Sequence, residues 1–147
     1  ARIGGLVAGH DPATVEAGTE FGYAYGLVFL SVDDDLDVVA TEEQLGKPAG
    51  HDMVEGVYTL PVLRTMSLGG PGSDELRSLL GSPLDADQQE RARAIVLRGE
   101  GVASAITTAR DWVARAESAV DGLPDTAATN ALRRSPATLL DNLTVTA

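Results

Sequence analysis

The stretch from Asp11 to about Val39 reads as one long helix, and near its end it carries the run Asp33-Asp34-Asp35-Leu36-Asp37. Asp11 is a favoured N-cap, since its carboxylate accepts from the first free N–H groups, and Pro12 suits the first helical position. On a helix Asp33 and Asp37 stand one turn apart on one face, with Asp34 rotated by about 100°. The spacing therefore predicts that three carboxylates converge on one spot. Uncompensated, they repel one another and some of their pKa values rise, so a stable cluster implies a neutralising cation. Hard oxygen donors favour Mg²⁺ or Ca²⁺, and Mg²⁺ usually keeps waters and shares substrate phosphates. An EF-hand is excluded: counted from Asp33, the glycine position of the loop is Val38 and the closing glutamate position is Gln44. A merely solvated acidic helix face is the other reading that these residues alone leave open.

The residues that follow narrow the choice. They run Gly46-Lys47-Pro48-Ala49-Gly50-His51-Asp52 and then Glu55-Gly56-Val57-Tyr58-Thr59-Leu60-Pro61. Taken with Gly26-Leu27-Val28-Phe29-Leu30-Ser31-Val32 and the aspartates, this resembles the second aspartate-rich motif of the trans-isoprenyl diphosphate synthases, or polyprenyl synthetases. The pattern there is roughly G-x-x-F-Q-x-x-D-D-x-x-D, then G-K-x-x-G-x-D-x-x-E-G-K-x-T-L-P. Two positions depart from it: Leu30 stands where glutamine is usual and Val57 where lysine is common.

The resemblance implies an all-α helical bundle of the isoprenoid synthase type, with residues 1–147 as its C-terminal part. The first DDxxD motif of that family, and the upstream basic residues that hold isopentenyl diphosphate, are not in this sequence. The implied reaction is condensation of an allylic prenyl diphosphate with isopentenyl diphosphate, assisted by Mg²⁺. Asp33, Asp34 and Asp37 are the implied metal ligands and, with Lys47, the catalytic set. Lys47 is implied to face the allylic diphosphate; Phe29, one turn before Asp33, borders the substrate cavity. Thr59 reads first as a helix cap and also as a substrate contact, and Asp52 as a cap or as support for the metal ligands. A homo- or hetero-oligomer, or an N-terminal half supplied from elsewhere, follows from the same resemblance. The alternatives are a non-catalytic or regulatory subunit of a heteromeric synthase and a terpene cyclase-like helical metal protein.

Composition excludes other classes. A chain of 147 residues can form one domain with a real core. Its formal net charge of −11 repels nucleic acid, and the pair Arg133-Arg134 does not make a basic face. The absence of cysteine rules out disulfides and thiolate metal sites and fits a cytoplasmic protein. No secretory signal or membrane span is visible, and neither is a nucleophile elbow, P-loop or dinucleotide fingerprint. The chemistry must then be one that metal and positioning can carry.

Further helices are expected after Thr59, with Pro61 in the first turn and Gly69 to Gly72 at the end, and at Asp74 to Leu80. Another covers Ala86 to Arg98, opened by an Asp85/Gln88 capping box and stopped by Gly99 and Gly101. Apolar spacing from Val102 through Ile106, Ala109, Val113, Ala116 and Val120 predicts the next, closed by Gly122 and Pro124. The last is expected from Thr126 to about Arg134, with Pro136 interrupting before Leu139 to Leu143. Gly18, Gly22 and Gly26 recur along the long helix and cost roughly 1 kcal/mol each relative to alanine. They imply close approach of a neighbouring helix, or room for a substrate chain. Phe21, Phe29 and Trp112 read as core, and His10 and His51 as loop or surface residues.

Overall fold

A computed structural model describes residues 1–46, 49–70 and 72–146. Among these residues there is no strand; the elements are α1 (Arg2–Val7), α2 (Pro12–Val39), α3 (Glu42–Leu45), α4 (His51–Val54), α5 (Leu60–Leu68), α6 (Ser73–Leu79), α7 (Ala86–Arg98), α8 (Gly101–Ala119) and α9 (Ala127–Thr146). The expected all-α bundle is the observed one. None of these helices is long and apolar enough to cross a membrane.

The long helix begins as the sequence predicts, with the Asp11 side chain accepting from the N–H groups of Ala13 and Thr14 at 3.0 and 3.1 Å. It runs unbroken through the aspartates to Val39. Its buried side packs on α8 in antiparallel fashion: Phe21 and Ala24 meet Ala116 and Val120, while Val28 and Val32 meet Ala109, Leu140 and Leu143. Each fully buried valine or leucine contributes about 1.5–3 kcal/mol. Small residues along α8, namely Ala105, Ala109 and Ala116, are fully enclosed and let the helices close up. A second cluster, Val38, Met53, Val62, Leu76, Ala92, Ile95 and Val96, gathers α4 to α7 around the end of α2.

That end is held by α7. Arg93 donates from Nε to the Val38 carbonyl at 2.8 Å and from Nη2 to the Ala40 carbonyl at 3.1 Å. A guanidinium there satisfies carbonyls that the helix leaves free and complements the negative end of its dipole. Gln89 adds a 2.7 Å bond to the Ala49 carbonyl. The Asp85/Gln88 capping box that opens α7 is formed as expected. The acidic end of α2 is thereby fixed from the outside.

Several expectations are corrected. Pro136 lies inside α9 and does not interrupt it. Proline removes the donor that would meet the Leu132 carbonyl, and the neighbouring Ser135 hydroxyl supplies one instead, at 2.9 Å. Gly101 opens α8 and is no breaker; a Cβ there would lie 2.0 Å from Thr65 Oγ1 and 2.4 Å from the Pro61 carbonyl oxygen. The glycines of α2 divide: Gly22 meets the Ala1 Cβ, but a side chain on Gly18 or Gly26 would enter open space, so no neighbouring helix demands them. Phe21 is core and Trp112 packs against it from α8, whereas Phe29 is 54% exposed and is not core.

Candidate active site

Four aspartates at the end of α2 have four different environments. Asp33 is exposed, Asp34 is half-buried, and Asp35 and Asp37 are buried. The predicted convergence of Asp33, Asp34 and Asp37 on a single spot is not found: among the described residues no three acidic or histidine side chains lie where one ion could join them. The helix explains this, because a step of about 100° turns Asp34 and Asp35 away from the face shared by Asp33 and Asp37. What the structure does bring together is charge. Burial first, then Asp52 and Asp33, and last Asp37, push the Asp34 carboxyl up to about 6, against the opposing effect of the Leu60 backbone N–H directed at it, which outweighs that of Asp37.

Asp37 faces the following loop. Its Oδ2 accepts from the Asp52 backbone N–H at 3.2 Å, and its carbonyl accepts from the Gly50 N–H at 2.6 Å. Gly50 can take this position because its φ of 72° is left-handed, which favours glycine. Of the two readings of Asp52 the capping one is not met, since Gly50 is the N-cap of α4, and the Asp52 carboxylate acts on Asp34. Thr59 sits at the N-cap of α5, as expected, but its side chain makes no capping bond. Phe29 and Leu30, 54% and 56% exposed, stand one turn before the aspartates beside the open space at Gly26. Lys47 lies outside the described residues. His51 pairs with Glu55 one turn away at 3.2 Å, and His10 is exposed; both match their reading as loop or surface residues.

The donor set suits a Mg²⁺ ion held by one or two carboxylates, with waters and substrate phosphates completing its shell. Asp33 and Asp34 offer such carboxylates at the surface of the bundle, and a divalent ion would relieve the repulsion that raises Asp34. Sequence reasoning missed two residues here. Arg93 clamps the helix end over a long sequence separation and leaves no local signal. Asp35 occupies a variable position of the motif, yet it is wholly buried and neither carboxylate oxygen has a hydrogen-bond partner. Its place three residues after Val32, on the core side of α2, is the sequence clue.

Burial, and secondarily Asp34, push Asp35 up to about 7. The folded chain thus holds a proton that the unfolded chain has released, so stability falls as pH rises from the ordinary carboxylate range to about 7 and then levels off. Asp35→Leu is expected to raise metal-free stability by on the order of 2 kcal/mol at about pH 8, and by less at about pH 5. Urea unfolding at the two pH values measures this. An equal gain at both would contradict the burial of an ionisable group.

The antiparallel all-α bundle, with one long helix ending in an acidic run, falls into the class of isoprenoid synthase folds by comparison with known proteins. The structure superposes on the geranylgeranyl pyrophosphate synthase of Corynebacterium glutamicum, determined with calcium and isoprenyl diphosphate, with a TM-score of 0.88 and 30% identity. The match covers 97% of this chain and 44% of that one. The polyprenyl synthetase family profile matches residues 1–97, and the chain belongs to that family. It is 37% identical over 135 residues to a probable mitochondrial hexaprenyl pyrophosphate synthase of Neurospora crassa, covering 89% of this chain and 28% of that protein. It is 34% identical over 141 residues to the nonaprenyl diphosphate synthase of Mycobacterium tuberculosis, covering 95% and 41%. The chain thus spans less than half the length of these relatives.

Proposed function

We propose that this chain supplies the second aspartate-rich motif of a trans-polyprenyl diphosphate synthase, as the C-terminal part of its helical domain. What supports the reading is the match of the polyprenyl synthetase profile to residues 1–97, which include the aspartate run, together with the negative charge of Asp52, Asp33 and Asp37 acting on Asp34, charge that a divalent cation would neutralise. Family membership gives that cation a purpose. Bound there, Mg²⁺ would screen the charge that collects on a departing pyrophosphate.

The chain's own residues do the rest. Asp33 and Asp34 would hold the ion directly or through water, and Asp37, whose Oδ2 accepts from the Asp52 N–H, keeps the following loop against α2. Lys47, at the G-K step of the family pattern, would screen the leaving diphosphate. Breaking the allylic carbon–oxygen bond leaves an allylic cation, which the double bond of isopentenyl diphosphate attacks; loss of a proton completes the added unit. Phe29, Leu30 and the open flank at Gly26 give the hydrocarbon chain an apolar surface. Thr59 at the start of α5 is a further substrate contact of the same proposal. The first aspartate-rich motif comes from residues outside this sequence, and a cysteine-free composition supports a cytoplasmic setting.

A second reading, a subunit of a heteromeric synthase without activity of its own, is supported by 31% identity over 135 residues to a heptaprenyl diphosphate synthase component 2 of Geobacillus stearothermophilus. Incorporation of labelled isopentenyl diphosphate by the protein purified from its own source tests both. Mg²⁺-dependent incorporation is expected of the assembled enzyme. Activity indifferent to chelation would contradict the metal-assisted mechanism.

A further inference from the structure

Two side chains of α7 grip the two segments that meet at the carboxylates. Gln89 and Arg93 stand one turn apart on one face of that helix. Arg93 donates from Nε and Nη2 to the Val38 and Ala40 carbonyls at the end of α2, and Gln89 donates to the Ala49 carbonyl in the loop beyond. Between these points the Arg93 stem lies under Gly50: a Cβ built on Gly50 would stand 3.6 Å from Arg93 Cδ and 3.8 Å from its Cβ. Gly50 in turn donates to the Asp37 carbonyl, and the Asp52 N–H donates to the Asp37 carboxylate. The Arg93 side chain is only 15% exposed, and the carboxylate of Glu90, itself largely exposed, lies 3.8 Å from Nη1. In a chain of net charge −11, this guanidinium thus spends its two shortest bonds on carbonyls. A planar fork that holds two acceptors fixes their orientation as well as their distance.

We propose that Arg93, assisted by Gln89, is a positioning residue for divalent-cation binding: by holding the 49–52 loop against the end of α2 it keeps the Asp52 carboxylate beside Asp34. It acts through the loop and touches neither ion nor substrate. The proposal rests on the reading of the α2 end as a divalent-cation site. Asp52 is among the charges that act on Asp34, so a loop that swings away takes one negative charge from the place where the cation would bind. The helix itself does not depend on the clamp, because α2 is packed along α8 and α9 well before its last turn.

Calorimetric titration of the full chain with Mg²⁺, together with amide hydrogen exchange, tests the assignment. Arg93→Met keeps an apolar stem under Gly50 and loses the donors. It is expected to weaken Mg²⁺ binding about tenfold and to expose the Gly50 and Asp52 amides to exchange, while the amides of residues 21–32 stay protected. Arg93→Lys, which puts one donor group in place of the fork, is expected to fall between wild type and Arg93→Met. Asp52→Asn is expected to lose a similar factor, and the double variant Arg93→Met/Asp52→Asn no more than either single one, because both changes remove the same interaction. A purely structural arginine would give losses that multiply. Such multiplying losses, or wild-type affinity in Arg93→Met or in Asp52→Asn, overturn the proposal. Should Arg93→Met not fold, Gln89→Met takes its place in the cycle, and wild-type affinity there overturns the proposal equally. A wild-type chain that binds no Mg²⁺ overturns the metal reading and the proposal together, whereas Mg²⁺ binding indifferent to residues 89 and 93 overturns the proposal alone.

Discussion

Replacing Asp33 by alanine is expected to slow isopentenyl incorporation by the assembled enzyme by on the order of 10²–10³-fold, with helical content and unfolding midpoint unchanged. The asymmetry follows from its surroundings. Asp33 is exposed, and among the described residues it has neither a hydrogen bond nor an ion pair that folding would miss. Asp37 gives a less clean test: it is 4% exposed and its Oδ2 holds the Asp52 N–H, so its removal mixes lost chemistry with a loosened loop. The pairing of a large kinetic loss with an unmoved unfolding curve is therefore specific to Asp33. A wild-type rate in Asp33→Ala would remove that residue from the metal site.

The largest expected loss of stability comes from a position with no chemistry. An alanine at residue 101 would put its Cβ 2.0 Å from Thr65 Oγ1, 2.4 Å from the Pro61 carbonyl oxygen and 2.8 Å from the Thr65 backbone nitrogen. Two of those atoms are backbone of α5 and cannot swing aside, so α5 and α8 must separate at the crossing next to Leu60. Gly101→Ala is expected to cost about 3 kcal/mol, read as a lowered urea midpoint. Gly18→Ala provides the contrast. Its Cβ would meet nothing within 4 Å, and removing a helix-interior glycine is expected to stabilise by about 1 kcal/mol.

Much of this architecture is legible in the residues because it depends on local rules. Asp11 and Pro12 start α2, and Asp85 with Gln88 starts α7, through bonds that span only a few positions. The apolar spacing of Ile106, Ala109, Val113 and Ala116 likewise marks the packed side of α8. Readings failed where something beyond residue propensity and spacing decides the outcome. Pro136 is tolerated because the Ser135 hydroxyl replaces its missing donor, Gly101 is required by α5 and not by its own helix, and Phe29 faces outward though it is apolar.

The candidate site shows the same division. Spacing alone picked out Asp33, Asp34 and Asp37, yet their differing burial depends on what α4, α5 and α7 place beside them. Asp37 turns to the Asp52 N–H, Asp34 meets the start of α5, and Arg93 closes the helix end. Asp35 was hidden by its position in the motif, since a carboxylate inside an acidic run looks solvated until the core side of the helix is known.

The central claim is that the end of α2 binds a divalent cation, and relaxation of backbone amide resonances by substoichiometric Mn²⁺ tests it most directly. Broadening concentrated on residues 33–37 and 52, reversed by excess Mg²⁺ and lost in Asp33→Ala/Asp34→Ala, is the predicted result. Broadening spread evenly over the acidic surface of the chain, and unchanged in that double variant, would contradict it.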